Sequence, residues 1–387
     1  MNIAIFTNNY LPNPYGVSTS VDGFRKVLIK KGHQVYIFAP HWEGDCKDDE
    51  NIFRYPSINI KTKVPFSLVV PYSKKINKII EDLEIDIIHA QHPNLLGSAA
   101  KNWALKKNVP LIFTWHTLYD KYGHYAPLIP DSIAGSWALK NAIGFAEECD
   151  HIITPTQSVK DFILSQEIEN KNISVVPSGV DESLFKNANG EKIRKQFNIK
   201  NDQTVLISIS RLTEEKNVVF LAKSIVQVLK DNKNVIFIFG GEGDLKDELK
   251  DIFMIAGVAD RAFLSGKIER SEVKNYLSSG DIFVYSSTSE TQGTIITENM
   301  YVGKPVVVVK ASGVKDIVVD GETGILTEEN ESDFVEAVNN LIENKEKREL
   351  IGKNAKKKAL KNYTIDVCGE KLIGVYENVI EDFKNNV

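Results

Sequence analysis

Short runs of branched apolar residues recur along the chain, each followed by a loop and then a helix-length stretch. This alternation constrains the fold more than any other feature, because strands separated by helical segments must pair in parallel with helices on the sheet faces. The first series reads "NIAIFT" (2–7), "QVYIFAP" (34–40), "IDIIHAQ" (85–91), "PLIFTWH" (110–116) and "HIITPT" (151–156), with a first helix over 18–31 ending at Gly32. A second series starts at "TVLISIS" (204–210) and continues through "NVIFIFGGEG", "AFLSG", "DIFVYSS" and "KPVVVVK". At 387 residues the chain exceeds one ordinary core. The expectation is an α/β protein of two Rossmann-like domains facing across a cleft. Residues 1–178 form the first, 179–200 a turn-rich linker and 201–362 the second. The amphipathic stretch 363–387 is expected as a helix returning to the first domain.

Hydrophobic residues make up 42% and charged residues 26%, the balance of a globular protein with an aqueous surface. The net charge of −5 removes the electrostatic case for nucleic acid as a partner. Residues 51–140 nevertheless carry eleven Lys/Arg against six Asp/Glu, a local basic excess. Cys46, Cys149 and Cys368 are scattered and show no C-x-x-C spacing. That argues against a disulfide framework or zinc site and fits a reducing cytoplasm. "MNIAIFTNNYLP" lacks a basic n-region, so no signal peptide is expected, and no apolar run reaches the length of a membrane span.

In parallel sheets ligands bind beyond the carboxyl ends of the strands, so the loops there carry the chemistry. "ETQGTIITE" (290–298) follows "DIFVYSS" and sets Glu290 and Glu298 around a glycine turn at a helix start. Either Glu290 caps the helix and Glu298 is solvated, or the pair lines an anion site built on the helix N-terminus. "ISRLTEEKN" (209–217) places Arg211 and Lys216 where they can converge on a diphosphate, unless Glu214 and Glu215 neutralise them locally. Gly240, Gly241 and Gly243 permit close backbone approach. In the first domain, Gly16 lies in the loop after the first strand, and no G-x-G-x-x-G dinucleotide fingerprint is present. His116 ends "PLIFTWH" and opens the aromatic run "TWHTLYDKYGHY", with His89 and His92 one strand earlier. A strand-end histidine either binds or shuttles protons for a ligand, or is structural. No H-x-x-x-H or strand-end D-x-D occurs in these loops, so a metal-free reaction is expected.

Taken in order, "YGV", "TWH" (114–116), "VVPSGVD" (175–181), "SRLTEEKN", "GGEGDL", "FLSGKI", "ETQGTIITE" and "GKPVVV" resemble the retaining family-4 glycosyltransferases of the GT-B fold over nearly the whole chain. The resemblance implies a UDP-sugar as donor substrate and no cofactor. It implies Glu290 on the donor-sugar hydroxyls, with Gly293, Thr294 and Ile295 amides at the phosphates and Glu298 on the ribose hydroxyls. Arg211 and Lys216 would hold the diphosphate, Lys267 and Ile268 the base, and Gly16 and Gly241 the close backbone approaches. His116 would contact the sugar and assist on the acceptor side, completing a catalytic set of His116, Glu290, Arg211 and Lys216.

The run "HTLYDKYGHY" further resembles the diacylglycerol glucosyltransferases, which implies a lipid acceptor and peripheral attachment to the inner face of a membrane. Tyr119, Tyr122, His124, Tyr125 and Trp137 are the implied acceptor- or membrane-side residues. Lys61, Lys63, Lys74, Lys75 and Lys78 around "VPFSLVVPY" suit a surface lying on anionic lipid. Thr294, Asn299 and Tyr301 depart from the family pattern, which bears on pocket shape and sugar choice. Alternatives are the same transfer to a soluble, thiol-precursor or cell-wall acceptor, a nucleotide-sugar epimerase, or a non-enzymatic sugar-nucleotide binder.

Overall fold

The computed structural model describes residues 1–13, 16–42, 48–60, 66–121 and 131–386. The chain divides into two compact units, Met1–Gly179 with Ile365–Val387, and Val180–Thr364.

Among the described residues, the first unit holds a seven-stranded parallel sheet. Its strands are β1 (Asn2–Phe6), β2 (Gln34–Pro40), β3 (Ile52–Tyr55), β6 (Ile87–Ala90), β7 (Leu111–Thr114), β8 (His151–Thr154) and β9 (Ile173–Val175), in the order β3-β2-β1-β6-β7-β8-β9. A separate antiparallel hairpin joins β4 (Ser57–Ile60) to β5 (Phe66–Val69). Along β1, Ala4 and Phe6 enter one core and Ile3 and Ile5 the other, as the two-residue period of a strand requires. Both faces are covered, which is why the strands are apolar throughout instead of alternating with polar residues.

Helix Ile365–Asn386 belongs to this first unit. Leu372, Tyr376 and Val379 sit in the core of the Ile3/Ile5 face. A side chain at Gly369 would meet Val27 Cγ1 at 2.5 Å, so this glycine lets the helix settle against helix Gly16–Lys30.

The second unit repeats the plan with β10 (Thr204–Ile209), β11 (Val235–Gly240), β12 (Ala262–Gly266), β13 (Ile282–Tyr285), β14 (Val306–Val309) and β15 (Ile325–Thr327), in the order β12-β11-β10-β13-β14-β15. Residues 180–200 are packed into it. Ile193 of helix Gly190–Gln196 is buried, and Arg194 donates to the Ser279 carbonyl (3.0 Å) and to Asp281 (2.7 Å).

The central strands, buried on both faces, were legible from their apolar runs, whereas β3, β4, β5, β9 and β15 were not. Of these, β3, β9 and β15 lie at sheet edges, where burial on one side suffices, and β4 and β5 form a separate hairpin.

Candidate active site

In each unit the sheet order reverses beside its first strand: β1 lies between β2 and β6, and β10 between β11 and β13. Adjacent crossovers leave in opposite directions there, and the crevice beyond the carboxyl ends is where such sheets take ligands.

In the second unit the loops after β10 and β13 are stitched together across this point. Ser286 Oγ donates to the carbonyls of Lys216 and Asn217 (both 2.9 Å), and Ser289 Oγ to that of Glu215 (3.0 Å). From the far side, the Gly313 amide donates to the Glu290 carbonyl (3.0 Å). These bonds bring Lys216 Nζ to 2.6 Å from Glu290 Oε1, with the two side chains only 11% and 14% exposed. Tyr285 Oη donates to the same oxygen at 2.7 Å. Burial pushes the Glu290 carboxyl pKa up, but the Lys216 ammonium and the donated hydrogen bonds outweigh it and hold the pKa below its ordinary value. Glu290 is therefore a charged group placed by tertiary bonds, and no helix-capping role is needed to account for it.

Gly293, at φ 77°, turns the chain into helix Thr294–Val302. Thr294 and Ile295 open that helix, at positions whose amides have no intrahelical acceptor. Further along it, Glu298 forms a bidentate pair with Arg270, at 2.9 and 2.5 Å. The Arg270 guanidinium also lies 5.9 Å from the centre of the Phe185 ring. With Glu298 one-tenth exposed, Arg270→Met strips a mostly buried carboxylate of its counter-ion. A loss of about 1.5–3 kcal/mol is expected, read as a lowered urea midpoint.

Arg211 pairs with Glu215 at 2.8 Å, the local neutralisation that the sequence left open for this cation. For Lys216 the partner is instead Glu290, far away in the sequence. Gly241 adopts φ 150°, and its amide donates to the Gly266 carbonyl at 2.8 Å. Its glycine character packs the ends of β10, β11 and β12 edge to edge. The Lys267 amide donates to Glu242 Oε1 at 3.3 Å, and the Ile268 side chain fills the space beside Gly240.

Of the departures from the family pattern, Asn299 is fully buried and its Nδ2 donates to the Lys304 carbonyl (2.9 Å), closing the Gly-Lys-Pro turn. Tyr301 packs edge-on against Phe185, with ring centres 5.5 Å apart. Both therefore serve packing within this unit.

In the first unit His116 is half-buried just beyond β7, and its Nε2–H donates to Gln91 Oε1 (2.6 Å) beyond β6. Burial, then the neighbouring His92 and His89, push its pKa down to about 3, so the ring is neutral at pH 7. One step down the same two strands, His89 bonds Thr114 Oγ1 (2.6 Å) and Tyr376 Oη of the C-terminal helix (2.7 Å). The Asn8 amide donates to His92 Nδ1 at 3.1 Å across the β1/β6 reversal.

Gly16 is exposed, with open space where a side chain would stand. Tyr119 packs edge-on against Trp115 at 5.2 Å, and Trp137, on helix Asp131–Glu147, is 67% exposed. Tyr122, His124, Tyr125, Lys61 and Lys63 lie outside the described residues.

Sequence reasoning missed the stitching serines, Tyr285, Arg270 and Gln91. "SSTSE" beside a carboxylate was a readable hint for the serines. Arg270 and Gln91 had none, since each acts on a residue of another strand or loop, and Tyr285 reads as one more apolar residue of its strand.

Two family models together span most of the chain. "Glycosyltransferase Family 4" matches residues 14–184 and "Glycosyl transferases group 1" residues 189–358. The chain is 28% identical to the alpha-monoglucosyldiacylglycerol synthase of Acholeplasma laidlawii, covering 100% of this chain and 98% of that one. It is 30% identical to the sulfoquinovosyl transferase SQD2 of Arabidopsis thaliana, over 93% of this chain and 70% of that protein. Among solved structures, Anabaena HepE in complex with UDP and glucose superposes with a TM-score of 0.78 at 18% identity, covering 98% of this chain and 100% of that one. With both of its sheets built on this plan and both family models matched, the chain belongs to the family-4 glycosyltransferases of the GT-B fold.

Proposed function

We propose that this glycosyltransferase moves a hexose, glucose in the leading case, from a UDP-sugar to diacylglycerol or a similar membrane lipid, forming an α-glycosidic bond. The observation that carries the donor side is the buried Lys216–Glu290 pair at the β10/β13 reversal, beside a helix N-terminus. In this reading Glu290 accepts from sugar hydroxyls, and Lys216 and Arg211 face the diphosphate, where negative charge grows as the bond to the sugar breaks. Gly293, Thr294 and Ile295 offer backbone amides to the phosphates. Glu298 takes the ribose hydroxyls, and Lys267, Ile268 and Gly241 border the nucleotide. The sugar C1–O bond to the diphosphate breaks as the acceptor oxygen attacks from the same face. UDP leaves, and a phosphate oxygen takes the acceptor's proton. His116, neutral at pH 7, assists the acceptor hydroxyl as a hydrogen-bonding partner, and Gly16 borders the phosphates.

The lipid acceptor is supported by the name of the Acholeplasma relative and by the surface of the first unit. Ile58 and Leu68 face each other across the β4–β5 hairpin and are 61% and 41% exposed; Val70 and Tyr72 follow, also exposed. Lys74, Lys75 and Lys78 stand exposed on the adjoining helix Lys74–Asp82. Apolar side chains beside lysines fit a protein lying on anionic lipid. Attachment in this reading is peripheral, on the cytoplasmic face; among the described residues no helix is long and apolar enough to cross a membrane.

The test is a screen of UDP-glucose, UDP-galactose and UDP-N-acetylglucosamine against diacylglycerol in liposomes and against soluble acceptors, with flotation on phosphatidylglycerol vesicles. Transfer to diacylglycerol and salt-sensitive flotation are expected. Transfer to soluble sugars only, with no flotation, would replace the lipid acceptor with a soluble one. Conversion of the UDP-sugar without any acceptor would point to epimerisation.

A further inference from the structure

Glu290 Oε1 accepts from two donors of different character. Lys216 is a cation at the end of a flexible stem. Tyr285 is a neutral phenol on a rigid one, 4% exposed at the carboxyl end of β13, with its ring stacked on Phe283 at 5.9 Å and 24°. A phenylalanine would fill the same space in the core, so packing alone gives no reason for the hydroxyl. The hydroxyl donates to the carboxylate oxygen that Lys216 also holds.

The two donors cannot do the same work during a reaction that builds negative charge on a leaving diphosphate. The Lys216 ammonium is drawn toward that charge as the bond to the sugar breaks, which weakens its hold on Glu290. Without the phenol, the carboxylate would keep only the weakened Lys216 contact and the Ser287 hydroxyl when sugar alignment matters most. The phenol has no such competing attraction. Burial and the adjacent Glu290 push its pKa far above its ordinary value, so it stays protonated and donating throughout.

We infer that Tyr285 is a positioning residue of this glycosyltransferase, fixing the Glu290 carboxylate toward the donor sugar while Lys216 turns to the leaving diphosphate. The inference rests on the donor-site reading given above for Glu290 and Lys216. Tyr285 acts through Glu290, so its removal leaves the groups that hold the nucleotide untouched.

The test compares Tyr285→Phe with Glu290→Gln in kcat and KM for the UDP-sugar, in UDP affinity by calorimetry and in the pH profile of kcat/KM. A hydrogen bond to a charged group is worth about 1.5–3 kcal/mol, a factor of roughly 10–150. Tyr285→Phe is expected to lower kcat/KM by about that factor, mainly in kcat, with UDP affinity unchanged. The acid limb of kcat/KM moves to higher pH, because the ionised carboxylate loses a donor that favours it. Replacing Tyr285 by 3-fluorotyrosine keeps the donor and restores both readouts, and a thermal melt of each variant separates misfolding from mispositioning. Wild-type kcat/KM and an unmoved acid limb in Tyr285→Phe, with Glu290→Gln inactive, overturn the positioning role and leave the donor site standing. A fully active Glu290→Gln overturns the donor-site reading itself.

Discussion

Glu290→Gln is expected to lower the rate of sugar transfer by about 10²–10³-fold, the cost of losing one preorganised polar group at the proposed reacting centre. Glutamine preserves the shape and can still accept from Lys216 and Tyr285, so the loss isolates the charge. Alanine is harsher, because it leaves the ammonium of Lys216 in a mostly buried position without its carboxylate. The substitution also carries a stability signature. The folded-state pKa of Glu290 lies below its ordinary value. Its pairing therefore contributes stability that is fully present above the unfolded-state pKa of about 4.3 and is lost as pH falls through the lower folded value. Glu290→Gln should flatten that part of the acid unfolding curve. Kinetics at pH 7.5 and thermal melts from pH 3 to 7 measure both effects. Unchanged kcat in the glutamine variant would remove Glu290 from the donor site.

Gly241→Ala damages the protein by another route. At φ 150° an L side chain is strained, and its Cβ would stand 1.8 Å from the Ser210 carbonyl oxygen. That oxygen belongs to the backbone leading directly into Arg211, so it cannot yield without moving the loop that carries Lys216. Strain and overpacking together are expected to cost roughly 2–5 kcal/mol. The measurement is a chemical denaturation midpoint together with UDP affinity, and both fall. By contrast, Gly16→Ala meets open space and should leave stability unchanged within about 0.5 kcal/mol, the usual range for a surface substitution. The pair shows that glycines chosen for the same suspected role at strand ends have different structural grounds.

Much of the candidate site was legible as a set of positions. The loops after β10, β11 and β13 could be found from apolar runs alone, and with them Arg211, Lys216, Gly241, Glu290, Gly293 and Glu298. What could not be read was how the charges divide. Arg211 and Lys216 look alike in "SRLTEEKN", yet one is neutralised four residues away and the other by a carboxylate from the loop after β13. Nor does "KIERSE" announce that Arg270 will take both oxygens of Glu298. These pairings depend on side-chain reach and on which loops become neighbours, and periodicity carries no information on either.

The sequence by itself determined two parallel sheets flanked by helices, because branched apolar runs and helical periods are local properties of the chain. It determined the acidic pair of "ETQGTIITE" and the glycine turn between them for the same reason. Tertiary structure alone decided that β10 lies beside β13, so that serines after β13 bind the carbonyls of the loop after β10 and deliver Lys216 to Glu290. It also decided that Tyr376 of the last helix reaches His89 in the first sheet. Sheet order and helix docking are set by the burial of whole faces at once, a cooperative balance that no short stretch of sequence encodes.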